Sequence, residues 1–384
     1  MQNKKLKILN IIGNYYPIVG GAEKECHKLS LKLKEMGHDV TVLTSYKDNL
    51  IPHEIIDGIP VYRKIRGWHV YELTYIISVF VLLFRFRKKF DHVICFGLHR
   101  FTVPAIIFCR LTGKKVFFRI ESARKTGDIY SMQQLRFGKF ILSFSKLAHG
   151  AFIISNEIEE ELLKIGFPQK KINKIPNTVD MNKFFPKIKE NEAQPLTINF
   201  IGRLHPKKGI DILIKALKRL KDKSFDFRVT IVGDGPLKKD LTMLVNDLEL
   251  EDSIYFTGTQ NETLPFYQQA DIIAMPSYAE GLPLVLLEAM ACKSTIVATA
   301  IGGITDVIIK KDPVEIPKNN FCICENGILV LPGDIDGLTN ALEQLIQNPQ
   351  LRDKLSQKAY ETIQASYTLD KVILRYLDLL GSNS

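Results

Sequence analysis

Two carboxylates, Glu280 and Glu288, stand in the segment Ser277-Tyr278-Ala279-Glu280-Gly281-Leu282-Pro283-Leu284-Val285-Leu286-Leu287-Glu288-Ala289-Met290-Ala291. Glu280 follows an apolar, strand-like run, and a helix is expected from about Pro283 because proline fits a first helical turn. Glu288 then lies well inside an apolar helix. A carboxylate in that position is either paired with a neighbouring helix or hydrogen-bonded to a ligand, because burying one alone is costly. Glu280 is either solvated or turned onto a ligand. A polar ligand accounts for both residues at once, and the amides near Leu284 and Val285, at the helix start, can point at an anionic part of it.

A second cluster is cationic. Gly202-Arg203-Leu204-His205-Pro206-Lys207-Lys208-Gly209 ends an apolar run and leads into a helical pattern. Arg203 offers a rigid bidentate fork and Lys208 a flexible point charge, a combination suited to a diphosphate. A charged, solvated loop is the alternative. Gly20-Gly21 follows the first apolar run, and such a pair lets a backbone approach an anion at a helix N-terminus. It serves an ordinary strand-to-helix turn equally well. The segment is neither G-x-G-x-x-G nor a P-loop, which argues against dinucleotide and ATP sites. Cys322-x-Cys324 could form one edge of a metal site, but no second thiol pair or nearby histidine completes it.

The elements that must carry these residues follow from periodicity. Residues 8–12 read as a strand, the stretch to Met36 as an amphipathic helix, and DVTVLTS, after Gly37-His38, as the next strand. Further strands are expected at 92–97, 115–120, 150–155 and 172–176. Residues 184–197, FFPKIKENEAQPLT, carry proline and charge without periodicity and read as a domain linker. The pattern restarts with strands at 197–203, 227–235, 253–258, 271–277, 294–299 and 327–330, and closing helices at 334–347 and 350–379. Alternation of this kind predicts two doubly wound α/β domains with parallel sheets. Ligands of such sheets bind beyond the carboxyl ends of the strands, here in the cleft expected between the domains.

Composition narrows the class. The 384 residues are 46% apolar and 24% charged, which excludes a mainly disordered chain or a multi-pass membrane protein. Six cysteines, mostly inside apolar stretches, fit a reduced cytosolic state, and the start lacks the long apolar region of a signal peptide. The net charge of +10 is uneven: residues 1–190 hold 32 Lys and Arg against 17 Asp and Glu, whereas residues 191–384 hold 20 against 25. That asymmetry points to an anionic partner for the first half. No zinc finger, RNA motif or basic recognition helix is present, so nucleic acid is not the expected partner.

In order, the motifs IPNTVD (175–180), Gly202-Arg203 with Lys208-Gly209, VGDGP (232–236), the Glu280–Glu288 block, Gly302-Gly303 and NGILVLPGD (326–334) resemble the family 4 retaining glycosyltransferases of GT-B architecture. The resemblance is dense from about 172 to 350 and looser over 1–170. It implies two Rossmann-like domains facing each other across a cleft: an acceptor domain over 1–187, a nucleotide-sugar domain over 188–364, and a C-terminal helix within 365–384 crossing back to the first. It implies that Arg203 and Lys208 hold the donor diphosphate and stabilise the leaving nucleotide. Glu288 would bind the ribose, Glu280 the sugar hydroxyls, and the backbone at Gly281, Leu282, Leu284 and Val285 the sugar and phosphate. Gly20, Gly21, Gly202 and Gly235 would border the same donor.

The implied reaction moves a hexose or N-acetylhexosamine from a nucleotide-diphosphate sugar, UDP favoured over GDP, with retention of configuration. The expected acceptor is a glycan or polyprenyl-linked saccharide in surface polysaccharide or lipopolysaccharide synthesis. No tightly bound cofactor or metal is expected, in keeping with the lack of an obvious Asp-x-Asp metal site. A catalytically inactive sugar-nucleotide-binding subunit, or an epimerase or phosphorylase on the same fold, are the alternatives.

On the acceptor side, many relatives carry a histidine after a first-domain strand. Here that strand end reads Phe118-Arg119-Ile120-Glu121-Ser122-Ala123-Arg124, without one. Glu121 and Arg124 are candidates to replace it, and His99 is a third, although His99-Arg100 could simply cap a helix. Finally, LTYIISVFVLLF (73–84) is followed by Arg85-Phe86-Arg87-Lys88-Lys89-Phe90. The run is too short to span a bilayer, but its basic and aromatic flank suits peripheral contact with an anionic membrane, here the inner face of the cell membrane. A buried helix with a solvated basic end is the alternative.

Overall fold

The computed structural model describes residues 5–18, 20–66, 71–124, 127–187, 195–310 and 315–381, so part of the expected linker lies outside the described residues. The chain forms two compact units, Met1–Asn177 with Leu369–Ser384, and Thr178–Thr368.

The first unit opens with β1 (Lys7–Ile12), α1 (Gly21–Glu35) and β2 (Asp39–Ser45), then a hairpin of β3 (His53–Ile56) and β4 (Ile59–Ile65). It continues with α2 (Tyr71–Phe86), β5 (His92–Phe96), α3 (Thr102–Thr112) and β6 (Lys115–Ile120). Two short helices, α4 (Asp128–Gln133) and α5 (Gly138–Ser145), precede β7 (Gly150–Ile153), α6 (Asn156–Lys164) and β8 (Ile172–Lys174). The strand order is β3-β4-β2-β1-β5-β6-β7-β8, all parallel except the β3–β4 pair. Progression runs one way from β1 to β2 and the other way from β5 to β8. Right-handed crossovers therefore put α1 on one face of the sheet and α2, α3, α4 and α5 on the other.

The second unit runs β9 (Leu196–Ile201), α7 (Ile210–Asp222), β10 (Phe227–Val232), α8 (Lys238–Asp247), β11 (Ile254–Gly258), α9 (Leu264–Gln269) and β12 (Ile272–Met275). Then come α10 (Leu284–Ala291), β13 (Thr295–Thr299), α11 (Ile304–Val307), β14 (Phe321–Ile323), β15 (Ile328–Val330), α12 (Ile335–Gln347) and α13 (Pro349–Ser366). Its order, β11-β10-β9-β12-β13-β15-β14, is parallel but for the edge strand β14. The last helix, α14 (Leu369–Gly381), belongs to the first unit, where Val372, Ile373 and Tyr376 join the core beside Leu29 and Leu33 of α1. Tyr376 packs on Phe152 of β7 at 4.9 Å between ring centroids.

The units divide at Asn177/Thr178 and Thr368/Leu369, not at 187/188 and 364/365. Apolar anchoring explains the earlier first division: Val179 pairs with Thr368, and Phe184 is buried against Tyr267 at 5.7 Å. The apolar start of the expected linker therefore belongs to the second unit.

Candidate active site

In the second sheet the chain direction reverses between β9 and β12, which are hydrogen-bonded neighbours. The loop after β9 carries Arg203 and Lys208, and the loop after β12 carries Glu280, so both open at the switch point where α/β sheets bind ligands. Lys208 Nζ donates to Glu280 Oε1 at 2.6 Å. Ser277 Oγ donates to the same oxygen at 2.7 Å, and Thr299 Oγ1 holds the Ser277 carbonyl at 2.6 Å. Oε2 of Glu280 has no partner among the described residues, and this carboxylate is only 9% exposed. Arg203 is exposed, and its guanidinium likewise has no partner among the described residues.

Glu288 sits one turn from the end of α10, half-buried. The hydroxyl of Tyr267 donates to its Oε2 at 2.6 Å. Burial, and then the Glu288 carboxylate itself, push the Tyr267 phenol well above its ordinary pKa, so the hydroxyl keeps its proton and remains a donor. Oε1 of Glu288 has no partner among the described residues. The pairing expected with a neighbouring helix is thus a tyrosine hydrogen bond from α9, not a salt bridge.

Backbone contacts fix these loops. Gly209 adopts φ +61°, and a Cβ there would fall 2.1 Å from the Pro276 carbonyl, so the Lys208 loop lies directly on the chain leading to Glu280. Gly302, at φ +49°, lies under the Glu280 carbonyl, where a Cβ would come within 2.1 Å, and the Gly303 amide donates to the Gly281 carbonyl at 2.5 Å. Gly202 and Gly235 belong to two loops whose backbones run together: Leu204 N donates to Asp234 O at 2.9 Å. Leu282 is buried at the turn, and α10 begins at Leu284 without a side-chain cap. Its first amides, at Leu284 and Val285, therefore face outward from the helix end.

The sequence from 180 to 362 matches the family described as glycosyl transferases group 1, and that from 19 to 183 matches glycosyltransferase family 4. The chain belongs to the family 4, group 1 glycosyltransferases. Its fold agrees: the structure of Anabaena HepE in complex with UDP superimposes with a TM-score of 0.76 over 98% of this chain and 100% of that one, at 19% identity. It is a GT-B fold. Among curated relatives, an uncharacterized glycosyltransferase of Haemophilus influenzae is 32% identical over 55% of this chain. A phosphatidylinositol N-acetylglucosaminyltransferase subunit of Schizosaccharomyces pombe is 29% identical over 77% of it. The matched regions span 56% and 66% of the lengths of those two relatives.

In the first unit of this family 4 chain, Gly20 caps α1 in an extended conformation and Gly21 opens the helix. Gly21 faces open space, whereas a Cβ on Gly20 would meet Glu23 Oε2 at 2.6 Å, so the Glu23 carboxylate folds back over the helix start. An anion arriving there must displace it. The direction reversal of this sheet lies between β1 and β5. Beside it is a cavity of about 330 Å³ lined by Gly13, Ser45, Tyr75, His99, Phe101 and Ser131 among others. Of the three acceptor-side candidates only His99 reaches this cavity.

Glu121 is instead ion-paired with the fully buried Arg119 at 2.6 Å, and Arg119 also donates to Ile175 O at 2.9 Å and Asn177 Oδ1 at 2.7 Å. Burial pushes the Glu121 carboxyl up; Arg119 opposes this, and Glu25 adds to it. Arg124, at φ +55°, is exposed and paired with Glu157, its amide donating to Glu161 Oε1 at 2.6 Å. Neither side chain lines the cavity.

Sequence reasoning passed over Tyr267, Ser277 and Arg119. Ser277 and Arg119 stood inside the quoted motifs, but only proximity in the fold gives them partners. The chain contains one Asp-x-Asp spacing, Asp334–Asp336. Both residues are structurally engaged: Asp334 caps α12 through the Gly337 amide at 2.9 Å, and Asp336 pairs with Arg219. Cys322 and Cys324 lie at β14 with sulfurs 3.8 Å apart, and the described residues hold no group of three or more metal-ligating side chains.

Proposed function

We propose that the protein transfers a hexose or N-acetylhexosamine from a nucleotide-diphosphate sugar to a glycan or polyprenyl-linked saccharide in surface-glycan synthesis, retaining the anomeric configuration and needing no metal. The observation that carries this is the cluster at the β9–β12 switch point: Arg203 unpaired, Lys208 on Glu280, and one unengaged oxygen on each of Glu280 and Glu288. Two cations answer a diphosphate, and two free carboxylate oxygens answer hydroxyls of a ribose and of a sugar. UDP is favoured as the nucleotide, in keeping with the UDP complex of the Anabaena structure.

In this reading Arg203 and Lys208 take up charge as the bond from C1 of the sugar to the diphosphate oxygen breaks. The acceptor hydroxyl oxygen forms the new bond at C1 from the same face, and its proton passes to the departing phosphate oxygen. Glu280 orients the sugar through Oε2, while Lys208 and Ser277 hold Oε1; it is not assigned as a nucleophile. The amides at Gly281, Leu282, Leu284 and Val285, with Gly202 and Gly235, line the donor. The acceptor is assigned to the cavity at His99. Work at the inner face of the cell membrane, through peripheral contact, completes the reading; no described helix is long and apolar enough to cross a bilayer.

The test is a panel of nucleotide sugars with polyprenyl-linked saccharides as acceptors, in chelator, followed by NMR of the product. Glycoside formation with the donor's anomeric configuration is expected. Release of a rearranged free sugar, or phosphate-dependent cleavage, would instead assign an epimerase or phosphorylase.

A further inference from the structure

The helical layer formed by α2, α3 and α5 is apolar on its outward side. On α2, Val81 and Phe84 are each 57% exposed, and Ile77 is exposed one turn earlier. On α3, Leu111 is 75% exposed and Ile107 stands on the same side one turn before it. At α5, Phe137 and Phe140 are 62% and 55% exposed, and Leu147 follows. The helices form one continuous layer: Phe80 meets Phe108 edge-on at 5.6 Å, and Arg110 Nε of α3 donates to Leu147 O at 2.7 Å. An apolar face spread over three helices exceeds the scattered exposed residues of an ordinary surface.

Its charge is of one sign. Residues 73–156 contain fourteen Lys and Arg but only Asp91, Glu121 and Asp128 as acids. Glu121 is held by Arg119, Asp128 by the Leu98 amide, and Asp91 lies 3.9 Å from Lys114. Arg85, Arg87, Lys88, Arg110, Arg136 and Lys139 are all exposed around the apolar side chains. The surroundings even hold His149 neutral: burial, then Arg110, Lys171 and Lys115, lower its pKa to about 4.

We infer that this three-helix face docks onto the surface of a bilayer containing anionic lipid. The inference rests on the peripheral contact proposed above for the 73–89 segment and extends it to α3 and α5. Bulky apolar side chains ringed by cations match an interface that is anionic at the headgroups and apolar beneath. A second copy of the chain would bring two cationic faces together and is disfavoured.

The experiment is co-sedimentation with vesicles of phosphatidylcholine alone or mixed with phosphatidylglycerol, comparing the wild-type chain with Phe137→Ser/Phe140→Ser. Far-UV circular dichroism checks the fold, and UDP titration checks the donor site of the second unit. The wild type is expected to bind the anionic vesicles and not the neutral ones, and the double variant to lose about tenfold or more in affinity with UDP binding unchanged. Wild-type protein left in the supernatant with anionic vesicles, equal binding by the folded variant, or loss of a self-associated species in its place would overturn the inference. Vesicle binding without UDP binding would sink the donor assignment and leave the docking face standing.

Discussion

Lys208 and Glu280, 72 residues apart in sequence, are joined by a 2.6 Å ion pair that spans the loops after β9 and β12. The pair exists before any donor arrives. It fixes one carboxylate oxygen of Glu280 on Lys208, while the Arg203 guanidinium is exposed and has no partner among the described residues.

Lys208→Ala should therefore lower the turnover of sugar transfer by about a hundredfold or more, the range for loss of one charge-stabilising donor. Donor affinity should fall less, since Arg203 remains. Steady-state kinetics with varied nucleotide sugar separates the two effects. An unchanged kcat would remove Lys208 from the reaction.

Glu288→Ala should act mainly on binding. Losing its hydroxyl contacts is expected to weaken UDP affinity by about tenfold or more, charged hydrogen bonds being worth about 1.5–3 kcal/mol. Tyr267→Phe should cost about 1 kcal/mol of folding stability through the lost buried hydroxyl and leave Glu288 less well oriented. Calorimetric titration of both variants, with their denaturant midpoints, is the check.

Two glycines should part company. Gly302→Ala places a Cβ 2.1 Å from the Glu280 carbonyl at φ +49°, and should cost about 2 kcal/mol or more while displacing the Glu280 loop. Gly21→Ala meets open space and should leave stability within about 0.5 kcal/mol. Thermal melts paired with UDP titration distinguish structural from binding losses.

The first unit should lose stability on mild acidification. His149 accepts the Val116 amide at Nδ1, 3.0 Å, and is held neutral, its pKa lowered to about 4 by burial and then by Arg110, Lys171 and Lys115. Its folded value lies below its unfolded one, so the unfolded state binds the proton more readily. The stability it supplies is present above the unfolded value of about 6.5 and is lost as pH falls toward about 4. Urea midpoints at pH 7 and pH 5 should show a smaller drop for His149→Asn than for the wild type.

Much of this was legible in the sequence because the donor-side residues sit at the ends of strands whose apolar runs are unambiguous. The strand at 115–120 was placed to the residue, and the loops after β9 and β12 were identified by glycine, charge and proline alone. The β3–β4 hairpin was missed although Asp57-Gly58 is a strong turn signal, because β3 is only four residues long and β4 carries Pro60 and the adjacent charges Arg63 and Lys64. β14 was missed because its Cys-x-Cys drew attention as chemistry, not as an edge strand. Partnerships across long sequence distance, Tyr267 with Glu288 or Arg119 with Asn177, have no local signature and emerge only when the sheets assemble. The acceptor side suffered most: Glu121 and Arg124 had suitable charges, yet buried pairing with Arg119 and surface pairing with Glu157 take them out of the cavity that His99 borders.

The central claim, a metal-independent nucleotide-sugar site at the β9–β12 switch point, is tested most directly by calorimetric titration of the intact chain with UDP and GDP in the presence of a chelator. Saturable UDP binding, stronger than that of GDP and weakened in Glu288→Ala, is the predicted result. Absence of binding by folded protein, or binding that appears only when a divalent metal is restored, would contradict it.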